Sequence, residues 1–359
     1  MRIALSGMAA VLGLVVTAGT GLAAEDYYKG KRLTVLVNFA AGGPTDIEGR
    51  IFAKYLSKYV EGNSGVIVQN MDGAGGIVGV NYIGEIAPKD GTVLGFVTGA
   101  AFTYAIDPTP RRIDFSAFEF VAMQPGTSVY FMRADVKPGM KTATDIGKAE
   151  GIISGGLGAD SPKDILLRLT LDMLGRKYNY VTGYKGSNGA RMALQQGEIN
   201  FYAESPPSYR GVIEPGMVAK GEVVPVFYDP EYDGRNFSTS SQVKGLDILP
   251  FQELYRKIHG KLPEGKLWEA YKTVLTLHGA MQRQIILPPK APQAAIDALR
   301  AAILKVNTDP AHAEDSMKTF GFVPNWIASA DVNDRVRNNL TLKPEMKQFI
   351  IDYVKRELK

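Results

Sequence analysis

Three histidines and no cysteine are what this 359-residue chain offers to most catalytic chemistry. His259, His278 and His312 all fall in its later part, away from the glycine-rich turns that would let a substrate approach the backbone. A Ser–His–Asp relay or a His-rich metal site would have to draw on those three. The lack of cysteine removes thiol nucleophiles and thiolate metal ligands. The motifs Gly-x-Ser-x-Gly, His-Glu-x-x-His and Gly-x-x-x-x-Gly-Lys-Ser/Thr are missing. "GAGGIVG" (Gly73 to Gly79) approaches a dinucleotide fingerprint, but Val78 stands where the third glycine belongs, so it reads as a tight turn with close helix–sheet packing. Asp46, Asp160 and Glu204 remain as carboxylates for acid–base work; acids in such places more commonly cap helices. The chain reads as a non-enzyme without cofactor or metal.

A different chemistry is written into two loops. In "VNFAAGGPTDIEGRIFAKYL" (37–56) an apolar strand meets two glycines, Gly42 and Gly43, and then Pro44, suited to a first helical position. Ile47, Ile51, Phe52, Tyr55 and Leu56 follow at helical spacing. The turn leaves backbone N–H groups at a helix N-terminus, where negative charge is favoured. "IISGGLGADSPKDILLRLTLDMLG" (152–175) repeats the pattern, with Ser161 as cap and Pro162 at the first helical position. Each loop opens a helix with Pro-x-Asp-Ile. Two such N-termini facing each other would hold an anion by backbone N–H groups.

The elements that must position these loops follow a β-α-β rhythm. "RLTVLVNF", "GVIVQN" and "GTVLGFVT" read as strands around helices at 46–60 and after Gly76, in a mostly parallel sheet. After "FEFVAMQPGTSVYFMRADV" the rhythm restarts, with strands "GIISGG", "NYVTGY", "INFYAES" and "EVVPVFY" and helices at 161–174 and "GARMALQQGE". A polar loop (229–241), two helical stretches (251–259, 266–278), the strand "RQIILP", a helix at 292–307 and a helical tail (332–359) complete the chain.

"MRIALSGMAAVLGLVVTAGTGLAAED" carries Arg2, an apolar run from Met8 to Val16 and small residues before Glu25 and Asp26, which reads as a secretory leader (1–24) cut near Ala23/Ala24. The expectation is an exported, soluble periplasmic protein whose cores manage without disulfides. Basic residues number 41 against 37 acidic, a formal net charge of +4. The two signs are interspersed, so no nucleic-acid stripe and no membrane-binding helix stand out.

"VNFAAGGPTDIEGRIFAKYL", "VIVQNMDGAGGIVGVNYI", "APKDGTVLGFVT", "DFSAFEFVA", "SGGLGADSPKDILL", "YKGSNGARMALQQGEINF" and "FGFVPNW" together resemble the substrate-binding receptors of tripartite tricarboxylate transporters, the Bug family. The resemblance covers about residues 30–227 and 285–355. Asn38 stands where that family usually has proline, Glu204 where an aspartate is frequent, and 228–284 is longer than usual. The second loop has Ala159-Asp160-Ser161 where Gly-Ser is common.

The resemblance implies an α/β, two-lobed, periplasmic-binding-protein-like clamp with a hinge of crossing strands. It also implies capture of a small organic acid and delivery to membrane subunits of the transporter. On this reading lobe 1 comprises 25–122 plus 229–359 and lobe 2 comprises 123–228, with crossings near 121–126 and 225–230. The expected ligand-binding residues are Phe39, Ala40, Thr45 and Asp46 from the first loop, and Gly158, Ala159, Asp160, Ser161 and Glu204 from the second lobe. The protein is expected to be a monomer. A receptor for a two-component sensor and an exported hydrolase are the other classes, separable by the gene's neighbours and by assays with model esters.

Overall fold

Leu33–Val37 (β1) is buried at every position but Thr34, as an apolar run at the centre of a sheet must be. The structure is a computed structural model that describes residues 26–106 and 113–356, so the leader expected at 1–24 lies outside the described residues. In chain order β1 is followed by α1 (Pro44–Tyr59), β2 (Val66–Asn70), α2 (Ile77–Glu85), β3 (Val93–Val97), α3 (Ala100–Ile106) and β4 (Glu119–Gln124). Next come β5 (Val129–Arg133), β6 (Ile152–Gly155), α4 (Pro162–Met173), β7 (Tyr178–Val181), α5 (Gly186–Gln196), β8 (Phe201–Glu204) and β9 (Val223–Tyr228). A small hairpin, β10 (Glu231–Tyr232) and β11 (Phe237–Ser238), leads to α6 (Phe251–His259), α7 (Lys266–Val274) and β12 (Arg283–Leu287). Four helices close the described chain: α8 (Gln293–Asn307), α9 (Pro310–Phe320), α10 (Val332–Leu340) and α11 (Pro344–Lys355).

Two five-stranded sheets share one topology. The first has the order β2-β1-β3-β12-β4 and the second β7-β6-β8-β5-β9. In the first, β1 is parallel to β2 and β3, while β12 is antiparallel to β3 and β4. In the second, β6 is parallel to β7 and β8, while β5 is antiparallel to β8 and β9. Both sheets are therefore mixed where a mostly parallel sheet was expected. The reversed strand in each is the one that arrives from the other sheet: β5 directly after β4, and β12 after the long excursion through α6 and α7.

The chain passes between sheets through 125–128 and returns through 280–282. The two passages are bonded to each other: Gly126 N–H donates to the Gly279 carbonyl at 2.8 Å, and Gln282 Nε2 to the Thr127 carbonyl at 3.0 Å. Up to α7 the excursion stays with the second sheet, α7 packing on α4, and α6 on β9.

The first core is centred on Phe52, Phe96 and Trp326, with ring centroids 5.0–5.5 Å apart. The second sheet stacks Tyr130 on Phe227 at 4.3 Å. No helix of the described residues is long and apolar enough to cross a membrane.

Candidate functional site

Each sheet sends a glycine loop from its second strand, β1 or β6, into a proline-started helix, and in each the aspartate of Pro-x-Asp ties the loop down. Asp46, at the third position of α1, accepts from Gly42 N–H at 2.8 Å, Arg50 Nε at 2.9 Å and Asn70 Nδ2 at 2.9 Å. Burial pushes its pKa up, but these hydrogen bonds outweigh burial and hold it below the usual aspartate value. Asp164 repeats the arrangement in α4, accepting from Gly158 N–H at 2.9 Å and Tyr180 OH at 3.0 Å. Asn70 on β2 and Tyr180 on β7 come from equivalent neighbouring strands. Here burial prevails and raises the carboxyl above its usual range. The echo extends further than Pro-x-Asp-Ile: Arg50 and Arg168 both stand four residues after the aspartate, and Arg168 donates to the Ala159 carbonyl.

Asn38 closes the base of the first loop. Its Nδ2 donates to the carbonyls of Thr98 (3.0 Å) and Gly76 (3.3 Å), and its Oδ1 accepts from Thr98 N–H at 3.1 Å, so one amide joins the turns after β1, β2 and β3. Proline at this position has none of these groups. The sharp bend itself is made at Gly42, whose φ of +77° disfavours side chains, whereas Gly43 sits at −83°. Gly42→Val is therefore expected to displace the loop and abolish ligand binding, while far-ultraviolet circular dichroism stays close to wild type. Gly43→Ala is expected to cost far less; calorimetric titration of both variants checks this.

Between the two loops lies a cavity of about 340 Å³. Its walls come from both sheets: Phe39 to Thr45 without Gly42, Ala74 and Gly75, and Thr98, Gly99 and Thr103 on one side; Leu157 to Lys163 without Ala159, and Lys185 to Asn188 on the other. Ser128, Ser205, His278, Gln282 and Arg283 complete it near the passages between sheets. Three helices of eight or more residues, α1, α4 and α5, thus present their N-termini to one space. Their first N–H groups have no partner inside the helix, and their dipoles favour negative charge there. Lys163, Lys185 and Arg283 add cationic side chains, and Asp160, exposed, is the acid among the described lining residues.

Of the residues expected in the site, Phe39, Ala40, Thr45, Gly158, Asp160 and Ser161 line the cavity. Asp46, Ala159 and Glu204 do not. Asp46 is turned inward to hold the first loop, and Ala159 is buried within the second loop with its carbonyl engaged by Arg168. Glu204, at the end of β8, is fully buried with Arg191 Nη1 at 3.8 Å; burial raises its pKa against the pull of Lys163 and Arg191.

Sequence reasoning missed Lys163 and the group His278, Gln282 and Arg283. Lys163 occupies in the second Pro-x-Asp repeat the place of Thr45 in the first, a signal that could have found it. Arg283 carried no local signal, because its partner is distant: its Nε and Nη2 donate to Glu48 at 3.1 and 2.7 Å, and its Nη1 to Thr98 Oγ1 at 3.1 Å. Burial, together with the charges of Arg283 and Lys163, pushes His278 down to about 3, so its imidazole is neutral at pH 7. Among the described residues no cluster of His, Cys, Asp and Glu could hold a metal ion.

No family model matches the chain. A UPF0065 protein of Agrobacterium vitis, from the TAR-I ttuE-ttuC' intergenic region, is 33% identical over 187 residues, covering 50% of this chain and 52% of that protein. The chain thus spans about half the length of this curated relative. The solved periplasmic binding protein BugD superposes with a TM-score of 0.64 at 18% identity, covering 91% of this chain and 98% of BugD. Rpa4515 of R. palustris, solved with adipate, gives 0.66 at 16% identity, covering 90% and 97%. These structural likenesses establish the periplasmic-binding-protein fold.

Proposed function

We infer that this chain, a distant homologue of the UPF0065/Bug (TctC-like) solute-binding proteins, captures a small organic acid in the periplasm and delivers it to membrane subunits of a tripartite tricarboxylate-type transporter. The observation that carries the reading is the convergence of three helix N-termini on one small cavity with a largely cationic set of charged walls. Its volume lies at the low end of ligand pockets, which run from about 300 to 1,000 Å³. That size suits a short acid, and a relative solved with adipate supports the same ligand class. The N-terminal leader, removed near Ala23/Ala24, accounts for export.

The two sheets are read as two lobes, with 125–128 and 280–282 as the hinge and 229–279 riding on the second lobe. A carboxylate gripped from both sides gains contacts only when the lobes approach, so binding favours closure. Micromolar affinity corresponds to about −8 kcal/mol, enough to outweigh a closure cost of a few kcal/mol. In a thermal-denaturation panel, one or more short carboxylates should raise the melting temperature by mass action, and sugars and amines should not. Solution scattering with the same acid should give a smaller radius of gyration. No shift with any carboxylate would remove the reading; a shift with unchanged scattering would replace the clamp by a rigid pocket.

A further inference from the structure

Lys163 stands out among the cavity walls because its side chain does not run to solvent. It is 9% exposed, and its Nζ donates to Tyr202 OH at 3.0 Å and to the Ala203 carbonyl at 2.9 Å. An ammonium carries three N–H groups, so one is left over on a side chain that lines the cavity. No carboxylate of the described residues lies within ion-pair distance of it. Glu204 is near enough to attract it, yet neither Glu204 oxygen has a hydrogen-bond partner among those residues. Burial pulls the lysine's pKa down, but Tyr202, Glu204 and Asp164 around it outweigh burial and hold it above the ordinary lysine value. Arg283 on the opposite wall is already satisfied by Glu48, and His278 is neutral. Lys163 is therefore a buried cation on the cavity wall with a donor to spare.

We propose that Lys163 reads the charge of the ligand: its spare N–H forms an anion subsite distinct from the backbone N–H groups of the loops, and it is this side chain that favours a charged over a neutral group at the ligand's second end. The proposal rests on the reading of the cavity as a carboxylate site. Glu204, Asp164 and Tyr202 act through Lys163 as positioning residues, which gives the buried Glu204 carboxylate a role although it does not reach the wall.

The test is calorimetric titration of the full-length protein with straight-chain diacids from malonate to suberate, each paired with its monoamide, which keeps the length and removes one charge. At the best length the diacid should bind about tenfold or more tightly than its monoamide, the value of a charge-assisted hydrogen bond in a buried site. In Lys163→Met that ratio should fall to about threefold or less, mainly through loss of diacid affinity. Lys163→Gln, which keeps a donor for the Ala203 carbonyl without the charge, should give the same loss and serves if methionine impairs folding. A crystal structure of the wild-type diacid complex adds a readout free of mutation, with a carboxylate oxygen expected within hydrogen-bond distance of Nζ. An unchanged ratio in both variants, or no carboxylate near Nζ, overturns the proposal. Equal binding of diacid and monoamide by the wild type also overturns it, while leaving the carboxylate reading intact. Failure of every acid in the series to bind removes both.

Discussion

Arg283→Met is expected to lower stability by about 3–5 kcal/mol, because it strands the Glu48 carboxylate in the interior. Both partners are nearly inaccessible, 2% and 4% exposed, and their two hydrogen bonds tie β12 to α1 directly beneath the cavity. Burial already raises the Glu48 pKa against the charge of Arg283, so removal of the arginine would drive Glu48 toward its protonated form. The double variant Glu48→Gln/Arg283→Met should recover most of the loss, since a missing pair costs far less than a broken one. Urea unfolding of the single and double variants measures both quantities. Equal destabilisation of the two would mean that the ion pair is not the cause.

The second large effect is one of pH. Asp229 is fully enclosed and accepts from Tyr271 OH at 2.7 Å and Tyr130 OH at 2.9 Å, beside the first passage between sheets. Its N–H donates to the Ser128 carbonyl and its own carbonyl accepts from Thr127 Oγ1. Burial pushes its pKa up to about 7, against the two tyrosine hydrogen bonds. A carboxyl raised on folding binds its proton more tightly in the native state than in the unfolded chain. Its effect is therefore a loss of stability that begins near pH 4, grows as pH rises, and is complete above pH 7. A shift of this size amounts to about 4 kcal/mol at most. Asp229→Asn removes the titration, so the variant should gain on the wild type between pH 5 and pH 8 by about 3 kcal/mol at most. Parallel stability curves for the two proteins across that range would show that Asp229 ionises without cost.

Much of the scaffold was legible because its signals are local. Val35 to Phe39 ends a buried run, Gly42 and Pro44 mark a turn into a helix, and the same signs recur at Gly156 to Pro162. What failed was non-local or polar. The antiparallel course of β12 cannot be read from "RQIIL", since parallel and antiparallel buried strands have the same apolar character. Helix α9 escaped because the face it buries is His312, Ser316 and Phe320, a helical stripe with only one apolar member. The stretch after Tyr228 reads as a polar loop, while in the fold Asp229 at its start stays bonded to the second sheet's Tyr130.

The site divided in the same way. The loop residues Phe39, Ala40, Thr45, Gly158, Asp160 and Ser161 were reachable from the glycine–proline pattern, since a turn that frees N–H groups also exposes its own side chains. Asp46 was expected at the wall as part of the first loop, and Glu204 as the residue standing where the resembled family often has an aspartate. The structure turns the first into a strut and encloses the second, which removes two like charges from the space an anion would occupy. Gly156 marks how tightly the second strut is built: a β-carbon there would lie 2.1 Å from Asp164 Oδ2. Gly156→Ala should accordingly loosen the second loop and weaken ligand binding, as calorimetric titration would register.

Whether an organic acid is held between the two loops by helix N-termini is best decided by crystallography. Crystals should be grown with the carboxylate that raises the melting temperature most. A carboxylate is expected in the cavity, its oxygens within hydrogen-bond distance of first-turn N–H groups of α1 on one side and of α4 or α5 on the other. A carboxylate found outside this cavity, or held by groups of one sheet alone, would contradict it.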